Sequence, residues 1–190
     1  MNHSHPSEWA KPELFIDMAH EQGVIDEKVF SLLIGAGDKK QAFTLGGYDL
    51  DRFAKSDLNW HESFSGEYWS VRLDGFKYAD NEVTITHDEV IVDSGTSYII
   101  MPEVSFMEVY RLVKQTHHCH LSDVGMTIIT CNCNPLDVYD FPDLTFTIDG
   151  VEYKIPRSSY VSMYGLRSCV VEVAYHVTWD YWILGLNFFE

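Results

Sequence analysis

Apolar and polar positions alternate along much of this chain with the period of two that belongs to strands. In YWSVRLDGFKY, Trp69, Val71 and Leu73 alternate before Asp74-Gly75, and Phe76 and Tyr78 after it. In LTFTIDGVEYKI, Leu144, Phe146 and Ile148 lead to Asp149-Gly150, and Val151, Tyr153 and Ile155 follow. Asp-Gly supplies the positive φ angles of a two-residue turn, so both segments predict hairpins. Further strands are expected at Phe30 to Ile34, Phe43 to Leu45, Val90 to Val92, Met126 to Ile129 and Cys169 to Tyr175. Gly35 to Lys40 reads as a turn. Two segments have helical spacing instead. One starts at Pro12, sets Leu14, Phe15 and Met18 on one face and stops at Gly23. The other follows Pro102 and aligns Phe106, Val109, Tyr110 and Val113. Short strands with few helices place the chain in the mainly β class. No repeat, linker or low-complexity segment interrupts it.

Length and composition fit a globular chain of 190 residues with 46 % hydrophobic residues. No apolar run reaches the roughly 20 residues that span a bilayer. The first eleven residues, which open MNHSHPSEW, have neither a cationic lead nor an apolar core, so they predict a flexible start without a signal peptide. Acidic side chains number 29 against 13 basic ones, a net charge of −16. Such a surface repels phosphate backbones and argues against a nucleic-acid partner. Solubility is the ordinary reading of such a surface, and adaptation to acid, where protonation relieves mutual repulsion, is a second one.

Four cysteines, Cys119, Cys131, Cys133 and Cys169, fit disulfides formed in an oxidising compartment, with free buried thiols as the alternative. His117, His118 and His120 stand beside Cys119, but their spacing matches no common zinc pattern, and no metal or cofactor is expected. His3 and His5 lie in the polar start, as does the isolated sequon Asn2-His3-Ser4. Trp69, Trp179, Tyr181 and Trp182 read as core or cleft aromatics.

The segment VIVDSGTS, Val90 to Ser97, carries the chemistry. Three β-branched residues form a buried strand that ends on a carboxylate. Ser94, Gly95 and Thr96 then offer hydroxyls and an unobstructed backbone, which together can hold the Asp93 carboxylate in one plane by hydrogen bonds. A bare Asp-Ser-Gly is more often an ordinary turn that caps backbone donors. The flanks distinguish this one, because Ile183-Leu184-Gly185 supplies a later hydrophobic-hydrophobic-glycine segment.

VIVDSGTS followed by WILG resembles the second active-site loop of pepsin-like (family A1) aspartic proteases, in which the hydrophobic-hydrophobic-glycine strand threads the loop that holds an aspartate. FIDMAHEQGVIDEKVFSLLI, FTLGGYDLDRF, YWSVRLDGF and FPDLTFTIDGVEY resemble further segments of that family in order, from about Pro12 to Glu190. The resemblance implies a pepsin-like, β-barrel-like C-terminal lobe with a few short helices, incomplete at both ends and spanning 1–190 as one lobe. It implies that Asp93 is one of two catalytic aspartates, that Ser94 and Gly95 form its loop, and that Thr96 braces the loop toward the other lobe. Ile91 and Tyr68 would lie near the substrate cleft. A lobe disulfide would join Cys169 to Cys133 or Cys131. Cys119 and Cys131 flank an apparent hairpin and could themselves pair.

Two departures stand out. No second Asp-[Ser/Thr]-Gly occurs in the sequence, and Leu186 replaces the aspartate usual after Ile-Leu-Gly. The expectation is therefore a lobe whose partners are a polypeptide substrate and a missing N-terminal lobe, inactive by itself. The family's usual locations, the secretory pathway, the lysosome or vacuole and the extracellular space, are implied with it. A catalytically silent peptide- or protein-binding module is the alternative, and a homodimer presenting two copies of Asp93 is a third reading.

Overall fold

The alternating segments do form strands, and the computed structural model describes residues 14–35, 41–53, 57–64 and 68–189. The expected turn at Gly35 to Lys40, the helix start at Pro12, the leading histidines and the sequon lie wholly or mostly outside those residues. The chain divides into two compact units, one ending at Leu58 and the other starting at Asn59.

The first unit contains helix α1 (Phe15–Glu21), strands β1 (Phe30–Leu33) and β2 (Ala42–Leu45) and helix α2 (Leu50–Phe53). Gly23 ends α1 as expected, at φ 69°, with Val24 N–H returning to Ala19 O at 2.9 Å. Leu14, Phe15 and Met18 are exposed, Ile16 is half-buried and Ala19 is the buried residue of the helix. Strands β1 and β2 pair antiparallel, with Phe30 opposite Leu45.

The second unit opens with β3 (Ser70–Tyr78), β4 (Asn81–Val83), β5 (Glu89–Val92), β6 (Ile99–Ile100) and helix α3 (Glu103–Val113). Strands β7 (Cys119–Asp123), β8 (Thr127–Asn132), β9 (Leu144–Ile148) and β10 (Val151–Ile155) follow. Helix α4 (Arg157–Tyr160), β11 (Val161–Met163), β12 (Ser168–Tyr175), β13 (Trp182–Leu184) and helix α5 (Leu186–Phe189) complete it. The fold is mainly β. One 11-stranded sheet runs in the order β10-β9-β3-β5-β13-β6-β12-β8-β7, with β4 and β11 attached to β3 and β12. Its end strands do not pair with each other among the described residues, so the sheet stays open.

The hairpin at Asp149-Gly150 forms as expected, with φ 46° and 76° at the two turn residues and Ile148 opposite Val151. The one expected at Asp74-Gly75 does not form. Strand β3 runs straight through that dipeptide, with a register break between Leu73 and Gly75 against β9. The break lets one strand serve two neighbours, since Ser70 to Arg72 pair with β5 and Leu73 to Tyr78 with β9. Asp74 is then free to bind across the sheet, where its Oδ2 accepts Gly150 N–H at 2.7 Å. The reversal comes five residues later, at Ala79, whose φ is 55°.

Phe76 stacks on Phe146 at 4.6 Å and meets the edge of Trp182 at 5.5 Å, and all three rings are buried. Phe106, Val109 and Val113 of α3 are buried as their spacing requires. Burial pushes the hydroxyls of Tyr78 and Tyr160 well above their ordinary pKa. Disulfides join Cys119 to Cys131, directly opposite on β7 and β8, and Cys133 to Cys169. His61 bridges Asp149 Oδ2 at 2.9 Å and the Tyr153 hydroxyl at 2.6 Å, tying its segment to the β9–β10 hairpin. No described helix is long and apolar enough to cross a membrane.

Candidate active site

Asp93 sits immediately past the end of β5, where the central strand β13 runs parallel to β5 with Leu184 opposite Val92. Its own N–H donates to Leu184 O at 3.0 Å, so the parallel pairing continues one step and sets the height of the carboxylate. The chain then turns back. Gly95 N–H donates to Asp93 Oδ1 at 2.8 Å, and Thr96 Oγ1 donates to Asp93 Oδ2 at 2.6 Å. Each carboxylate oxygen therefore has a donor from the loop, which fixes the plane of the group. Gly95 suits this geometry, because a Cβ there would stand 3.1 Å from Asp93 Oδ1. Thr96, expected to brace the loop toward another lobe, donates its hydroxyl hydrogen to Asp93 within this chain.

The loop rests on the segment after β13. Leu186 N–H donates to Thr96 O at 2.8 Å, a backbone bond that does not depend on the side chain standing where an aspartate is usual. A cavity of about 630 Å³ opens beside Asp93. It is lined by Ile91 and Tyr68, both expected at the cleft, and by Trp69, His87, Asp88, Glu89, Val92, Asp180, Tyr181 and Ile183. Ser94 is exposed at the tip of the loop.

A family model described as Eukaryotic aspartyl protease matches residues 5–190. The chain belongs to that family. It is 31 % identical to Pepsin F of Oryctolagus cuniculus over 173 residues, which is 86 % of this chain and 42 % of that protein. It is 29 % identical to Pepsin-3 of the same species over 148 residues, or 76 % of this chain and 36 % of that protein. Pepsin A of Suncus murinus is 24 % identical over 147 residues, with the same coverage of 76 % and 36 %. The chain thus spans about two fifths of the length of the curated relatives it matches.

Within this aspartyl protease framework the alternative metal grouping loses its thiolates, because all four cysteines are in disulfides. His117 lies flat on Phe141 with ring centroids 3.9 Å apart. Among the described residues no group of three histidine, cysteine or acidic side chains could hold a metal. Sequence reasoning did not find His87, Asp88, Glu89 or Asp180. One signal was present for Glu89, since Glu89, Ile91 and Asp93 alternate with period two and therefore share a face of the strand. No local signal announces the contact of His87 Nε2 with Asp180 Oδ2 at 3.0 Å, because the partners are 93 residues apart.

Proposed function

We propose that residues 1–190 are the C-terminal lobe of a two-lobed aspartic endopeptidase in which Asp93 is one of two catalytic carboxylates. The observation that carries this reading is the Asp93 carboxylate itself, held by Gly95 N–H and Thr96 Oγ1 at the edge of a cavity wide enough for peptide side chains. The other carboxylate comes from an N-terminal lobe. Two carboxylates facing each other cannot both ionise readily, so the pair shares one proton in acid and titrates as a unit. The ionised member takes a proton from a water held between them while the water oxygen attacks the peptide carbonyl carbon. The protonated member hydrogen-bonds the carbonyl oxygen. The carbon–nitrogen bond then breaks as the nitrogen receives a proton from the dyad.

Three further features support it. Trp60, Phe64, Tyr68 and Trp69 are 71, 56, 60 and 68 % exposed, apolar surface of the kind that a second lobe would cover. The two disulfides suit a secretory, lysosomal or extracellular setting. The family's location is the second reason for placing the chain there. A second reading, a silent peptide-binding lobe, is favoured by the single Asp-Ser-Gly of the sequence.

Cleavage of denatured haemoglobin in acid separates the two readings. The 190-residue chain paired with an aspartic-protease N-terminal lobe is expected to cleave it with a bell-shaped pH profile and to be inhibited by pepstatin. The Asp93→Asn protein is expected to fold and to be inactive. Full activity of Asp93→Asn would remove Asp93 from the chemistry. Activity of the lone chain rising with the square of its concentration would replace the two-lobed reading with a homodimer.

A further inference from the structure

The cavity beside Asp93 is strongly one-sided in charge. Its lining includes the carboxylates of Asp88, Glu89, Asp93 and Asp180 and the rings of Tyr68, Trp69 and Tyr181, and among the described residues it holds no lysine or arginine. Its one imidazole, His87, binds a single oxygen of Asp180. Among the described residues the side chains of Asp88 and Glu89 have no ion-pair or hydrogen-bond partner. Arg72 is opposite Glu89 in the β3–β5 register, but its Nε pairs with Asp74 Oδ1 at 3.0 Å and it does not line the cavity. Apolar walls are present as well, in Ile91, Val92 and Ile183.

Two of these carboxylates stand on well-defined backbone. Glu89 lies on β5 in one row with Ile91 and Asp93, all three lining the cavity. Strand geometry sets Glu89 about 13 Å along that row from Asp93. Asp180 stands between Trp179 and Tyr181, whose rings stack at 5.9 Å with an 18° interplanar angle, and His176 packs on Trp179 at 4.7 Å. The loop bearing Asp180 is thus stiffened by three rings.

We propose that this cavity selects a cationic peptide side chain, arginine or lysine, and that Glu89 and Asp180 are the selecting residues. The proposal rests on the reading of Asp93 as a protease aspartate and adds the kind of side chain bound next to it. A guanidinium or ammonium group gains charge-assisted hydrogen bonds from the carboxylates and electrostatic attraction to the ring faces, while its aliphatic stem packs on Ile91 and Ile183. An acidic side chain is repelled. A neutral one leaves Glu89 without a partner and Asp180 with only its His87 contact. An extended peptide rises about 3.4 Å per residue, so the cation falls within about four residues of the scissile bond. The overall charge of −16 draws the same peptides toward the protein.

The test uses two extended peptides that differ only in arginine or its neutral isostere citrulline, titrated into the 190-residue chain and followed by calorimetry. The arginine peptide is expected to bind about tenfold more tightly, the size of a charge-assisted hydrogen bond. Glu89→Gln and Asp180→Asn, both isosteric and exposed, should each shrink the preference, and the double variant should abolish it. Raising the salt concentration should shrink it in the parent chain. Equal binding of the two peptides, no binding of either, or an intact preference in the double variant overturns the proposal. The protease reading fails separately, if Asp93→Asn in the two-lobed protein keeps full cleavage activity. Cleavage without preference for arginine therefore rejects the selection alone, and selective binding without cleavage rejects the protease reading alone.

Discussion

Gly185 lies against the backbone of Thr96 so closely that a Cβ at residue 185 would stand 2.6 Å from the Thr96 carbonyl oxygen, and nearer still to that of Tyr98. The strand carrying Ile183 and Leu184 passes through the Asp93 loop only because residue 185 has no side chain. The hydrophobic-hydrophobic-glycine segment is thus explained by contact. Two apolar residues bury the strand, and the glycine admits it to the loop.

Gly185→Ala is therefore expected to be among the most damaging single-atom additions in the chain. The atoms it meets are backbone, so the loop or the strand must move, at a cost of at least about 1–3 kcal/mol. A lowered urea midpoint, together with shifted amide resonances at Asp93 and Gly95, is the expected result. An unchanged midpoint would show that the strand and loop are less tightly fitted than the structure has them.

Thr96→Val keeps the shape of the side chain and deletes the hydrogen bond to Asp93 Oδ2. Hydrogen bonds to charged groups contribute about 1.5–3 kcal/mol. In the two-lobed protein kcat should fall roughly ten- to a hundredfold through loss of orientation, with KM little changed, because Thr96 does not line the cavity. A change confined to KM would contradict the role given to Thr96 here.

Peptide mapping without reduction should recover Cys119–Cys131 and Cys133–Cys169. Replacing Cys133 and Cys169 together by serine opens a link across 36 residues and should cost about 2–5 kcal/mol, read from the urea midpoint. A Cys131–Cys169 peptide would overturn the pairing.

Alkaline pH tests the buried tyrosines. Burial raises the pKa of Tyr78 and of Tyr160, so the folded state holds these protons more tightly than the unfolded chain does. Their contribution to stability is complete below the ordinary tyrosine pKa of about 10 and declines as pH rises past it. Urea midpoints measured from pH 8 upward should be steady at first and then fall. Tyr78 Oη is buried without a hydrogen-bond partner, so Tyr78→Phe should be neutral or stabilising at pH 8 and should flatten the fall. Tyr160 Oη donates to Pro142 O, so Tyr160→Phe should flatten it too but lose about 1 kcal/mol at pH 8. A fall of the same steepness in both variants would assign the alkaline lability to other groups.

Much of the fold was legible because its determinants are local. The Asp149-Gly150 turn needs positive φ at two successive residues, and Asp-Gly accepts both wherever it stands. Helix α3 follows from the spacing of Phe106, Val109 and Val113 after Pro102. The Asp93 loop was legible for a related reason. Its donors come from Gly95 and Thr96, two and three residues away, so the carboxylate and its partners lie in one short motif.

The remaining features depended on which strands became neighbours. Asp74-Gly75 is as suitable for a turn as Asp149-Gly150, yet it became a bulge because β5 and β9 both lie along β3 and the strand must serve each. The cysteine pairing was left open between Cys131 and Cys133 until the β7–β8 register set Cys119 opposite Cys131. Asp180 entered the cavity only when β13 took its place beside β5. By itself the sequence determined the mainly β class, the position of Asp93 and the loop that holds it, because bond rotation and short-range hydrogen bonds decide these. Only the tertiary structure decided the charge of the cavity, since that depends on residues far apart in the chain meeting through strand order.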